Sequence, residues 1–292
     1  MAALAIAVTA VSASGPMIAY AAAPALAIAF WRTALATAVL GPAAVTRRDE
    51  LASLAARRDG MFTVLAGAAL AVHFMTWVPS VKLTGIATAA ALVATQPVWQ
   101  GLIAALQGRR PDLWTWIGIA VAVGGAVAAT GADFAVSRQA VLGDLLALAG
   151  AVAVAAYTAF GERVRATTST TAYTVVCYAV SAALTLPVCL ALGVPLAGYP
   201  ATAWLAIGAI TVGPQLLGHT LFSFALRRIA ATTVAVVILL EVPGAALLGW
   251  VWLGQVPRPS AWPGLCLLLA GVAIVVVAGR RARAPAVADN QL

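Results

Sequence analysis

The chain holds two histidines, His73 and His219. Both sit in runs without a charged residue: His73 in AVHFMTWVPS and His219 in LGHTLFSFAL. Two chemistries are open to a histidine in such a place. Its titration near neutral pH suits it to contact a polar solute or take up a proton. As a neutral ring it can instead hydrogen-bond a neighbouring helix. On a helix, Thr76, Trp77 and Ser80 follow His73 at i+3, i+4 and i+7, while Thr211, Gln215 and Ser223 share the face of His219 at steps of four. Polar faces in a bilayer turn toward the bundle interior or a water-filled cavity. These two are therefore expected to meet along a central pathway.

Two charges, Arg32 and Glu241, fall deep inside apolar runs. An unpaired charge there costs at least a few kcal/mol, so the two are expected to pair or to face one aqueous cavity. A structural ion pair, or an Arg32 that reaches for the interface, is the plainer alternative. Pro97 and Pro243 lie inside the fourth and ninth runs and are expected to kink them, because proline removes a helix hydrogen bond. Thr95, Gln96 and Trp99 would then line the break, with Tyr157, Ser12 and Ser14 as further polar groups in apolar runs. A packing kink without solute contact is the alternative there. Cys177, Cys189 and Cys266 have no metal-ligand or redox spacing. No phosphate-binding glycine loop is present, and no nucleophile–base–acid set is visible. Neither a metal nor a cofactor is expected.

The elements that must position these residues follow from composition. Of 292 residues, 63% are hydrophobic and 9% charged, against about 25% charged in soluble domains. The solvent of this chain is largely lipid. Its net charge of +8 is spread over short segments rather than a basic domain, which argues against nucleic acid. Runs near the ~20 apolar residues that span a bilayer occur at 3–21, 25–45, 61–81, 85–106, 113–131, 142–161, 172–192, 202–226, 232–253 and 261–278. The first has no basic residue ahead of it and reads as a membrane helix rather than a leader. Placing the N-terminus inside puts 13 of the 17 basic residues in inner segments, with Lys82, Arg138 and Arg258 outside and Arg32 within the second run. Because inner loops collect Lys and Arg, both termini are expected in the cytoplasm of an inner-membrane protein. Segment 280–292 is expected to be a disordered tail.

An internal repeat is present at an offset of 146. It carries Gly67 onto Gly213, Leu70 onto Leu216, His73 onto His219, Pro97 onto Pro243, Gly108 onto Gly254 and Pro111 onto Pro257. It likewise carries Trp116, Gly118 and Gly125 onto Trp262, Gly264 and Gly271. Two halves, 1–140 and 141–279, follow. Five helices in each make the second insert inverted, the architecture of many secondary transporters. The fold class is thus an all-α membrane protein of ten transmembrane helices in two inverted five-helix repeats.

The chain resembles the drug/metabolite transporter superfamily, in particular the EamA-type proteins. The likeness rests on PALAIAFWRTALA, on HFMTWVPSVKLTGIATAAALVATQPVWQGLIAAL followed by WIGIAVAVGGAVAATG, and on IAATTVAVVILLEVPGAALLGWVWLGQ with WPGLCLLLAGVAIVV. The family's glutamate after the fourth and ninth helices is absent, where GRRP and GQVP stand instead. One valine also separates Glu241 from Pro243, where the family often has Glu and Pro adjacent. The resemblance implies a carrier, often an exporter, of a small polar or amphipathic metabolite such as an amino acid, with proton coupling left open. A membrane-embedded enzyme on a lipid-linked substrate, or a non-transporting scaffold, are the alternatives. Gly124, Gly125 and Gly271 permit close helix packing, either within the chain or across a homodimer face.

Overall fold

The computed structural model describes residues 2–84, 86–130, 137–253, 259 and 261–281. Every regular element among them is a helix. Among the described residues nine stretches are long and apolar enough to cross a bilayer: Ala2–Tyr20, Ala25–Val45, Arg58–Leu83, Thr88–Leu106, Arg138–Arg165, Thr170–Ala191, Ala201–Ala225, Ala231–Leu248 and Ala261–Gly279. Leu113–Ala129 is a shorter apolar helix between the fourth and fifth of these. Counted along the chain they are spans 1 to 10, and the expected runs fall on them within a few residues. The proposed tail beyond residue 281, together with Gly254, Pro257 and Arg258, lies outside the described residues.

Span 3 lies along span 6, span 7 lies against spans 2 and 3, and span 5 lies along span 10. Span 1 packs on spans 8 and 9. The seam between spans 5 and 10 is backbone against backbone. A Cβ on Gly125 would stand 2.3 Å from the Leu268 amide nitrogen, and one on Gly271 2.3 Å from that of Ala122. Such contact supplies association where lipid offers no hydrophobic drive. Gly125 and Gly271 are therefore consumed inside the chain, whereas Gly124 has no atom within 4 Å of its Cβ position.

Four spans are not plain α-helices, and a proline accounts for each. Span 1 breaks at Ala13, giving Ala2–Ser12 and Ser14–Tyr20 around Pro16. Span 4 is interrupted between Ile86–Val93 and Gln96–Leu106, with Pro97 in the first turn of the second piece. Span 9 is interrupted between Ala231–Ile238 and Glu241–Leu253, with Pro243 placed likewise. Span 8 turns into a π-helix over Thr211–His219, and Pro214 sits inside it. A proline cannot donate to the carbonyl four residues earlier, and each irregularity begins beside that carbonyl. Pro42, Pro79 and Pro187 lie in helices that run on without a break, so the imino acid permits an interruption without forcing one.

The connection 46–60 holds a short helix, Arg48–Ala56, which the apolar scan does not reveal. Asp49 and Glu50 occupy its first turn, where a helix N-terminus favours negative charge. Glu50 also reaches the start of span 7. It accepts from the backbone N–H of Ser169 at 2.6 Å and from its hydroxyl at 2.8 Å. Burial pushes the Glu50 carboxyl up, but these bonds and the neighbouring Arg47 guanidinium outweigh it and hold it below the usual carboxylate range.

Candidate functional site

A cavity of about 430 Å³ lies within the bundle, its wall drawn from every span except the seventh. The irregular helices supply much of that wall. Ser12 and Ser14 come from the break in span 1, Val93 and Gln96 from span 4, and Ile238, Glu241 and Val242 from span 9. His219 comes from the end of the π segment. Interrupting a helix lets side chains near the break turn toward one point, which a straight helix with one inward stripe cannot do.

His73 and His219 both line the cavity, with ring centroids 6.2 Å apart. Phe74 stands edge-on to His219 at 5.2 Å, and the Tyr157 ring is 6.1 Å from it. His73 Nδ1 lies 2.9 Å from the Gly150 carbonyl oxygen of span 6. A carbonyl only accepts, so Nδ1 carries the proton and Nε2 is left as an acceptor. Tyr157 Oη and Ser223 Oγ are 2.9 Å apart, and both residues line the cavity.

Arg32, 1% exposed, projects from span 2. Its Nε donates to Gln215 Oε1 at 2.8 Å, and its guanidinium carbon lies 3.9 Å from the Phe74 ring centroid. Nη1 and Nη2 are buried without a hydrogen-bond partner. The expected ion pair with Glu241 is not formed: among the described residues no carboxylate lies within 4.0 Å of Arg32. The one side-chain hydrogen bond of the guanidinium goes to the neutral Gln215, on another span from Glu241. Arg32 and Glu241 instead line the same cavity.

Of the residues singled out in the sequence, Arg32, His73, Trp77, Gln96, Tyr157, His219 and Glu241 line the cavity, as do Ser12, Ser14 and Ser223. Thr95, Trp99, Gln215, Pro97 and Pro243 are not on its wall. Trp99 Nε1 donates to Thr95 Oγ1 at 3.2 Å, and Thr95 Oγ1 donates to the Leu92 carbonyl at 2.6 Å, so these two satisfy each other away from the space. Gln215 acts one step back by orienting Arg32. Thr76, Ser80 and Thr211 spend their hydroxyls on carbonyls of their own helices. Sequence reasoning missed Phe74, Phe222 and Thr158, all on the wall. Thr158 had a signal, because the offset of 146 carries Ser12 onto it. The two phenylalanines had none in so apolar a chain.

Comparison with known proteins agrees with this architecture. The model of the EamA-like transporter family matches the chain twice, over residues 1–131 and 141–277. The chain is 28% identical to the uncharacterized transporter YwfM of Bacillus subtilis over 74% of its own length and 73% of that protein. It is 30% identical to a probable terminal-alkyne amino-acid exporter of Streptantibioticus cattleyicolor over 64% of its length, a match spanning 63% of that exporter. One crystal structure superposes with a TM-score of 0.75 across 96% of both chains at 23% identity, a likeness of fold. The chain belongs to the EamA-like transporter family.

Proposed function

We propose that this chain is a secondary carrier that moves a small polar or amphipathic metabolite, such as an amino acid, outward across the plasma membrane by alternating access. The observation that carries this reading is the cavity whose wall sets a guanidinium with two unpartnered nitrogens, a carboxylate and two histidines among serines, a glutamine and a largely apolar surface. Its volume falls in the range of small-molecule sites, about 300–1,000 Å³. The name of the amino-acid exporter among the relatives supports the solute class.

Two inverted halves, 1–140 and 141–279, complete the reading. Exchanging each span for the one five places on maps the 3–6 contact onto 8–1 and the 2–3 contact onto 7–8, and it maps 2–7, 4–9 and 5–10 onto themselves. Such a pattern suits halves that trade conformations about a fixed site. The arginine-rich segments then lie in the cytoplasm with both termini. His73, His219 and Glu241 are the wall groups through which a proton gradient would act. Gly124 leaves an outward face of span 5 open to a second copy.

The test is solute counterflow in proteoliposomes with amino acids, aromatic metabolites and sugars, with wild type beside His73→Ala and His219→Ala. The expected outcome is flux of one class, reduced in both variants. Folded wild-type protein that exchanges no solute of the panel would overturn the reading.

A further inference from the structure

We propose that Arg32 is the anchor for a carboxylate on the transported solute, so that this site selects monocarboxylates, amino acids included, over their neutral analogues. The inference rests on the carrier reading and adds the chemistry of one subsite to it. Arg32 is a buried cation whose one side-chain hydrogen bond is to a neutral group, Gln215. Its Nη1 and Nη2 have no partner, and among the described residues no carboxylate lies within 4.0 Å. A buried guanidinium is costly unless a counter-charge reaches it. The protein has spent effort on fixing its direction all the same. Gln215 Oε1 holds Nε, and Phe74 lies against the guanidinium face. The Gln215 backbone is held in turn, since its main-chain oxygen accepts from Tyr178 Oη at 3.3 Å.

With Nε and one face taken, the two terminal nitrogens are what remains. They form the fork that matches the two oxygens of a carboxylate. Arg32 is on the cavity wall, so a solute in that space lies beside the guanidinium, and its carboxylate would take the place next to the buried nitrogens. Phe74, Trp77, Val154 and Phe222 on the same wall offer an apolar surface to the rest of the solute. The binding-competent solute therefore carries an anionic head and a largely apolar or aromatic body.

Three probes of one body separate the charges: L-phenylalanine, L-phenylalaninamide without the carboxylate, and 3-phenylpropionate without the ammonium. Binding to the purified full chain is read as thermal stabilisation in detergent, and transport as counterflow in proteoliposomes. The two carboxylates should half-saturate the wild type at concentrations at least about tenfold below the amide. In Arg32→Gln that preference should vanish, and in Arg32→Lys, which keeps the charge without the fork, part of it should return. Equal binding of acid and amide to wild type, no binding of either acid, or an undiminished preference in Arg32→Gln would each overturn the anchor. Should Arg32→Gln fail to fold, the wild-type comparison of acid with amide decides alone. Carboxylate-selective binding without counterflow would sink the carrier reading and leave the anchor standing. Counterflow of acid and amide alike would do the reverse.

Discussion

Span 3 crosses as one unbroken helix, Arg58–Leu83, while span 8 crosses through a π segment at Thr211–His219. The two are counterparts at the offset of 146, which carries Gly67 onto Gly213, Ala68 onto Pro214 and His73 onto His219. Their surroundings differ as much as their backbones. A Cβ on Gly67 would stand 2.7 Å from Val180 Cβ, whereas Gly213 has nothing within 4 Å. His73 is tied to the Gly150 carbonyl, whereas His219 lies beside the rings of Phe74, His73 and Tyr157 and has no hydrogen bond among the described residues. At these glycine and histidine positions one copy of the motif is clamped and the other is free, although Gly218 of the π segment packs closely on Val11. Two like sequences in unlike local states are what the proposed alternating access would require in any single conformation.

The sharpest way to break this comparison is to fill both glycines. Gly67→Leu should cost about 1–3 kcal/mol by overpacking, while Gly213→Leu should stay within about 0.5 kcal/mol. Thermal unfolding in detergent measures both, and equal losses would mean the two spans are equally tight. Next come the histidines. His73→Ala forfeits a buried hydrogen bond worth about 1 kcal/mol, so it should unfold at a lower temperature than His219→Ala, even where both lose counterflow. A lower midpoint for His219→Ala would reverse the assignment of clamped and loose copies.

Pro214→Ala sharpens the same contrast. It restores an N–H that can bond to the Ile210 carbonyl, favouring an α register through span 8. Stability should hold or rise by up to about 1 kcal/mol, while counterflow falls because His219 is turned off the cavity wall. Unchanged flux would detach the π segment from function. The smallest effect expected is at Glu50. Its carboxyl is held below the usual range in the folded protein, so its contribution is complete above about pH 4–5 and fades as the pH falls through the lower folded value. Protection from hydrogen exchange over 48–56, taken relative to the intrinsic rate at each pH, should fall in acid, and Glu50→Gln should show part of that loosening at neutral pH. Exchange indifferent to both would remove the Ser169 link from the account.

Much of the fold was legible because a bilayer allows few backbone solutions. The apolar runs, the arginine bias and the repeated His, Pro and Trp positions led to ten spans. The candidate site was read less evenly. His73, His219, Tyr157 and Glu241 stood out as polar groups in apolar sequence, and they reach one cavity. Thr95 and Trp99 stood out equally, yet they turn to each other. Pro97 and Pro214 interrupt their spans while Pro79 and Pro187 do not, a distinction that depends on what the neighbouring helices can accommodate.

Amino-acid composition by itself determined that this chain lives in lipid, because its apolar runs match a bilayer's thickness and its few charges gather between them. The 146-residue repeat likewise determined that the chain is built twice over. Tertiary structure alone decided that Arg32 is bonded to Gln215 and not paired with Glu241, and that one histidine is tethered while its counterpart is not. Such choices turn on angstrom-scale contacts between spans far apart in sequence, and a residue's type and depth leave those contacts undetermined.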